Sequence, residues 1–232
     1  MSAIIDTKVN PQDQGDVASL DKAKTIDMQK TNIVNDPAAF YLTLPDLEEA
    51  IKSLLTVNFD DVLAKVTDLL VPYEDKFGLS LVHRHFPIFP NELMVEDGPV
   101  MKPFAKDANT EFFEKRWDRY GRPYEYSTTR QAPIPEKLLR DFQALIPDST
   151  YLGLYSRVGD DETQQWMETT HPDKRLHLNV PKTDEYADAP ETAWYSKDGA
   201  PLTRGCGSIC VPSKTIRGTT FNHVKHTHPN GL

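Results

Sequence analysis

The stretch that decides the fold is Phe77-Gly78-Leu79-Ser80-Leu81-Val82-His83-Arg84-His85-Phe86. Its side chains alternate as in a β-strand, in which successive residues point to opposite faces. Leu79, Leu81, His83 and His85 then share one face, so the two imidazoles continue an apolar surface. At about 3.3 Å per residue their Cα atoms lie about 6.6 Å apart, close enough for both rings to reach one metal ion. The strand therefore predicts a His-x-His metal site; the alternative is that the two histidines have structural roles.

Three helices are predicted around this strand. The first begins near Pro45, and the second is capped by Asn58 and ends at Pro72. The third begins at Pro135 and ends at Pro147, because proline suits the first turn of a helix and interrupts its interior. Each has apolar residues at helical spacing, which predicts a face that packs on another layer.

Most of the remaining chain has the alternation and turn residues of strands. Strand-like segments lie at 92–96, 124–129, 150–158, 175–180, 207–211 and 219–228. Between the first two, Phe112, Phe113, Trp117 and Tyr120 have the spacing of a short aromatic-faced helix, with Arg116 and Arg119 exposed. The fold class predicted is α+β, with two N-terminal helices and one central helix on a mainly antiparallel, twisted or barrel-like sheet. Residues 1–37 are predicted to form an extended arm, and 38–232 a single α+β domain.

Charge and composition limit the classes of partner. The chain has 26 basic and 35 acidic residues, a formal net charge of −9 and a sequence pI near 5.2. Neither a nucleic acid nor an anionic membrane is expected to bind such a surface. The N-terminus lacks the basic start and apolar core of a secretory signal, so the expected location is the cytoplasm.

A second pair of histidines lies near the C-terminus, in Phe221-Asn-His223-Val-Lys-His226-Thr-His228. If extended, this segment places His226 and His228 on one face. A sheet that joined them to His83 and His85 would assemble three or four nitrogen ligands, which suits zinc, iron or copper. His171 and His177, by contrast, are expected to be exposed rather than to act as ligands, and the alternative for the C-terminal pair is that it is solvated.

The two cysteines allow several interpretations. Cys206 and Cys210, with His223 and His228, match the loose spacing of a two-cysteine, two-histidine zinc finger. The segment between the two pairs lacks the apolar pattern of that motif, so a DNA-binding finger is not expected, although zinc held by these side chains stays open. A thiol nucleophile is a further alternative, but small neighbours in a strand favour a buried structural cysteine.

Two resemblances bear on the central histidines. Gly78, His83, His85, Glu92 and Gly98 stand in the order of the first cupin motif, which they resemble with four residues before His83 and six before Glu92. This resemblance implies a small β-barrel with two histidines and a carboxylate inside. The Leu-x-His-x-His-Phe segment is also similar to one in uncharacterised filamentous-fungal proteins, and that similarity implies no particular activity.

The functional hypothesis is a metal-dependent enzyme acting on a small organic molecule, with zinc, iron or copper as the ion. His83, His85, His226 and His228 are the candidate ligands. Glu92 is a candidate catalytic carboxylate or further ligand, and Arg84, Tyr124 or Tyr126 would hold an anionic or phenolic group. No nucleotide-binding motif is present. The alternative is a non-catalytic binding or interaction protein whose histidines are structural.

Overall fold

A computed structural model describes residues 36–73, 76–107, 109–160, 165–183, 189–196, 200–204 and 207–212. The described residues contain four α-helices: α1 (Pro37–Leu42), α2 (Leu47–Leu54), α3 (Phe59–Leu70) and α4 (Glu136–Leu145). They also contain ten strands: β1 (Phe77–Leu81), β2 (Glu92–Asp97), β3 (Val100–Ala105), β4 (Phe113–Asp118), β5 (Pro123–Ser127), β6 (Leu152–Ser156), β7 (Trp166–His171), β8 (Leu176–Pro181), β9 (Glu191–Trp194) and β10 (Gly207–Pro212). Single 3₁₀ turns lie at Val71–Tyr73 and Pro172–Lys174.

The ten strands close into a barrel in the order β1-β6-β4-β5-β2-β3-β8-β7-β10-β9, with β9 paired to β1. Neighbouring strands are antiparallel except for β2 with β5 and β7 with β10, which are parallel. The predicted α+β class, with a mainly antiparallel, barrel-like sheet, is confirmed. The three predicted helices correspond to α2, α3 and α4, and α1 is an additional short helix.

Helices α3 and α4 pack against each other and cover one side of the barrel. The cluster they form with the sheet includes Phe59, Leu63 and Leu138 from the helices and Leu79 and Trp117 from the strands. All five side chains are buried. The outward face of β1 is therefore its leucine face, which lies under the helices.

Two local predictions were wrong. Residues 113–118 form strand β4 rather than an aromatic-faced helix, because backbone pairing to both β5 and β6 overrides the helical spacing of the aromatic residues. The register against β5 shifts between Glu114 and Arg116, as at a β-bulge, and bulges re-aim side chains. Arg116, expected to be exposed, is only 5% exposed. Strand β1 also ends at Leu81, so the two histidines follow the strand instead of continuing it.

Other predictions fall outside the described residues. The proposed arm, apart from Asp36 and Pro37, and the predicted strand at 219–228 belong to this group. Among the described helices, none combines the length and the apolar character needed to span a membrane.

Candidate metal centre in the barrel interior

Buried polar side chains from six strands meet inside the barrel. They come from β4, β5, β7, β8, β9 and β10, and they are Arg116, Glu125, Glu168, His177, Thr192 and Cys210. None of the six residues is more than 5% exposed. Because these strands stand all round the ring, their side chains can meet only in its interior, which makes the interior of this barrel polar.

His177 shows how the strand pattern produces this interior. It lies on β8 between Leu176 and Leu178, which are half-buried, whereas His177 itself is 0% exposed. Successive side chains of a strand alternate between the two faces, so the polar face of β8 points inward. The expectation that His177 would be exposed was therefore wrong.

His83 and His85 enter the same interior just beyond the end of β1. The Nδ1 atom of His83 lies 2.8 Å from the carbonyl oxygen of Leu81. The ring centroids of His83 and His85 are 4.8 Å apart, and those of His85 and His177 are 3.8 Å apart. Three imidazoles thus form one continuous buried group.

Helix α1 contacts the backbone of His85 through Tyr41. The backbone N–H of His85 donates a hydrogen bond to the Tyr41 hydroxyl at 3.0 Å. Burial, together with the charge of Glu125, raises the pKa of Tyr41, so its hydroxyl stays protonated. The side chain of His85 is 1% exposed. Tyr41 therefore fixes the backbone of His85 where its side chain is buried.

Two carboxylates share one guanidinium beside the histidines. Arg116 Nε lies 3.1 Å from Glu125 Oε2, and Arg116 Nη2 donates to Glu168 Oε1 at 2.5 Å. The Thr192 hydroxyl donates to Glu168 Oε2 at 3.0 Å. The two carboxylates and the one guanidinium together carry a net charge of −1. Such a surplus of charge is costly in an interior and favours a bound cation.

The protonation states follow from this arrangement. Burial alone would raise the pKa of Glu168, but Arg116 and the histidines outweigh burial and hold it well below its usual value. Burial, reinforced by His85, lowers the pKa of His83 to about 4. The same two causes hold the pKa of His177 well below its usual value. Near neutral pH the site therefore contains ionised carboxylates and neutral His83 and His177, the forms that bind metal ions.

Thr170 on β7 lies between two of the rings. Its hydroxyl oxygen is 3.0 Å from His177 Nδ1 and 3.4 Å from His85 Nδ1. It is also within hydrogen-bonding reach of the Cys210 thiol. Metal-binding histidines usually bond a protein group through their second ring nitrogen, which fixes the ring. Thr170 is placed to do this for His177.

The Nε2 atoms of His83, His85 and His177 are buried and have no hydrogen-bond partner among the described residues. His85 Nε2 lies 3.2 Å from Glu125 Oε1, but the two groups are not aligned for a hydrogen bond. In His83 the assignment is clear, because a carbonyl oxygen only accepts: Nδ1 carries the proton, and Nε2 presents a lone pair. A buried imidazole nitrogen with an unused lone pair is a ready metal ligand.

These side chains form two groups that could hold a metal ion. One consists of His85, Glu168 and His177, and the other of His83, His85 and Cys210. Within each group the ligand atoms lie within 4.8 Å of one another. Ligand atoms around one tetrahedral ion are about 3.4 Å apart for bonds of about 2.05 Å, so small side-chain movements would close either group around an ion.

The other predicted site residues lie elsewhere or outside the described residues. Glu92 pairs with Arg175 and accepts the Phe89 N–H at 2.7 Å. Arg84 donates to the carbonyl of Leu42 at 2.9 Å. Tyr126 is buried on β5, and burial, with the charge of Glu114, raises its pKa. None of these contacts involves the histidines. His226 and His228 lie outside the described residues.

Sequence reasoning did not select the buried charges Arg116, Glu125 and Glu168. The sequence contains an ambiguous signal for them, since Glu125 stands between Tyr124 and Tyr126 in a strand and Glu168 follows Met167 in another. A lone charge in an aromatic or apolar strand marks either a solvated face or a polar barrel interior, and the pattern does not distinguish them.

Comparisons with family models, curated proteins and solved structures found no match for this chain. The resemblances to cupins and to the fungal segment therefore stay predictions.

Proposed function

We propose that this protein is a metal-dependent enzyme acting on a small organic molecule, and that His85, His177 and Glu168 hold the ion. The observation that carries the proposal is the set of buried imidazole Nε2 atoms that have no hydrogen-bond partner in the part of the chain the structure describes. They lie beside two carboxylates that share one guanidinium. A metal ion would satisfy both features at once, because it takes the nitrogen lone pairs and supplies the missing positive charge.

The donor set indicates the kind of ion. Two imidazoles and one carboxylate suit zinc, iron or copper, and they leave coordination positions free for a substrate or water. When bound, such an ion polarises an oxygen of the substrate or acidifies a water molecule. Arg116 and Thr192 hold the Glu168 carboxylate from two directions, so its orientation is fixed before an ion arrives.

The surroundings limit the substrate. The strands and Tyr41 bury the site, so the proposed substrate is a small molecule. A substrate of more than a few atoms would require α1 to move. Arg116 is already paired with two carboxylates. An anionic group of a substrate would therefore be attracted by the ion rather than by this guanidinium.

A second candidate is a non-catalytic protein in which the polar interior is structural. The observation that favours it is that Arg116 links Glu125 on β5 with Glu168 on β7, across the barrel from strand to strand. A buried network of this kind can specify one arrangement of strands without binding anything.

Elemental analysis of protein purified without an affinity tag separates the two candidates. The wild type, incubated with zinc, iron or copper and then desalted, is expected to retain at least one ion per chain. Retention should fall in His177→Ala and in Glu168→Gln but not in His171→Ala, which changes a half-buried histidine outside both groups. If no ion is retained, or if His171→Ala loses as much as His177→Ala, the metal site is refuted.

The C-terminal histidines need their own comparison, since imidazoles in any setting bind transition metals. His226→Ala/His228→Ala is analysed beside the other variants. Unchanged retention would place the ion at the barrel residues, whereas a loss would return these two histidines to the ligand set. Turnover in a screen of small substrates that survives removal of the metal by a chelator would refute the enzymatic part.

A further inference from the structure

The barrel interior places five metal-binding side chains in two compact groups. The group of His83, His85 and Cys210 and the group of His85, Glu168 and His177 share only His85. His83 and Cys210 do not belong to the compact group formed by Glu168 and His177. One ion would have to draw ligands from both groups, although only His85 has a place in each.

We infer that the interior binds two metal ions, and that His85 bridges them, with the second ion held by His83 and Cys210. The inference rests on the proposed function, because it adds an ion beside the one held by Glu168 and His177. His85 is suited to the role, since it belongs to both groups and its ring lies beside those of His83 and His177. Bridging would use both ring nitrogens and would replace the contact of Nδ1 with the Thr170 hydroxyl at 3.4 Å.

His83 supplies the first independent support. His83 is 2% exposed, and its Nδ1 donates a hydrogen bond to the Leu81 carbonyl oxygen. Its Nε2 has no hydrogen-bond partner among the described residues. His83 does not belong to the group of His85, Glu168 and His177. A second ion gives the lone pair a partner in place.

Cys210 supplies the second independent support for another ion. It is 2% exposed, lies on β10 and forms no disulfide among the described residues. A bound ion displaces the thiol proton and makes the thiolate a ligand. Sulfur with two imidazoles favours zinc or copper(I) over magnesium or calcium.

The charges of the loaded site nearly cancel. Two divalent ions bring four positive charges, and Arg116 adds one. Glu125, Glu168, the Cys210 thiolate and the His85 imidazolate bring four negative charges, which leaves a net charge of +1. Loading from the neutral thiol and imidazole releases two protons to solvent and changes no oxidation state.

Cobalt(II) is the probe, because cobalt bound to a thiolate absorbs in the near ultraviolet, whereas cobalt bound only by nitrogen and oxygen lacks that charge-transfer band. The metal-free full chain is titrated with Co²⁺, and the same titration is made with His226→Ala/His228→Ala to remove binding by those side chains. The expected result is two ions per chain in both proteins, with a thiolate band and two protons released beyond those of the buffer.

Each variant then has a distinct expected result. Cys210→Ser should bind one ion and lose the band, whereas His177→Ala should bind one ion and keep it. His171→Ala, the matched control, should bind two. Three measurements use the wild type alone: the number of cobalt ions per chain, the thiolate band and the number of protons released. The inference therefore stays testable if a variant fails to fold.

The outcomes also separate this inference from the proposed function. One ion per chain in the wild type, or no thiolate band, would overturn the second ion and leave the site of His85, Glu168 and His177 standing. Two ions in Cys210→Ser would overturn it as well. No cobalt bound at all would refute both.

Discussion

Replacing Arg116 with methionine removes the one guanidinium that both buried carboxylates share. Methionine keeps much of the volume and cannot carry charge, so Glu125 and Glu168 are left ionised in an interior where their side chains are 1% and 2% exposed. Breaking a buried ion pair from one side costs about 3–5 kcal/mol. A domain has only about 5–15 kcal/mol of stability, so Arg116→Met is expected to lose a large part of the total.

The measurement is urea unfolding of metal-free protein near pH 7, followed by circular dichroism, with the free energy of unfolding taken from linear extrapolation. Lys52→Met is the control, because Lys52 pairs with Glu48 on the exposed surface of α2 and should matter little. Adding Glu125→Gln and Glu168→Gln to Arg116→Met should recover much of the loss. If Arg116→Met destabilises no more than Lys52→Met, the buried charges do not interact as the distances indicate.

Three further predictions concern the same interior and its enclosure. His83 takes up its proton near pH 6.5 in the unfolded chain but only near pH 4 in the folded protein. Between these values the unfolded state binds more protons, so stability should fall as the pH decreases, by up to about 1.4 kcal/mol per pH unit. Urea midpoints of metal-free protein from pH 7 to 4 should depend less on pH in His83→Phe than in the wild type, and an equal dependence would contradict the assignment. Tyr41→Phe removes the acceptor of the buried His85 N–H and should cost about 1–3 kcal/mol in thermal or urea unfolding, against little change for the exposed Tyr120→Phe. Gly153→Ala would place a Cβ 2.2 Å from the Trp117 carbonyl oxygen, so the variant should lose about 1–3 kcal/mol of unfolding free energy. A free energy of unfolding equal to that of the wild type would show that β4 and β6 are farther apart than in this structure.

The parts of the fold that depend on local sequence could be predicted. Helices α3 and α4 follow from apolar spacing and proline positions, and the Asn58 side chain accepts the Asp61 N–H at 3.4 Å, as a helix cap does. The His-x-His pair was recognisable because two imidazoles beside an apolar strand are unusual. Its members do lie in the buried cluster.

The rest of the site depends on which face of each strand points inward. Alternation in β8 was read correctly, but His177 was assigned to solvent, since most two-faced strands bury their apolar side. Here the apolar side of β1 lies under the helices, and the polar sides of the strands line the interior. Only closure of the ring brings Glu125, Glu168 and Cys210 together, and no short segment of sequence encodes that closure.

Closure of the barrel also sets the order in which the protein can assemble. The seam between β1 and β9 joins Leu79 with Trp194 and Ser80 with Ala193, residues that are distant in the chain. Pairings at such separations form late in folding, because the entropy of a long loop is lost before the contacts compensate for it. His85 and Glu168 become neighbours only when that step is complete. A metal ion held by these residues, as proposed, would then be absent from the folding transition state, so it should slow unfolding and leave the rate of folding almost unchanged.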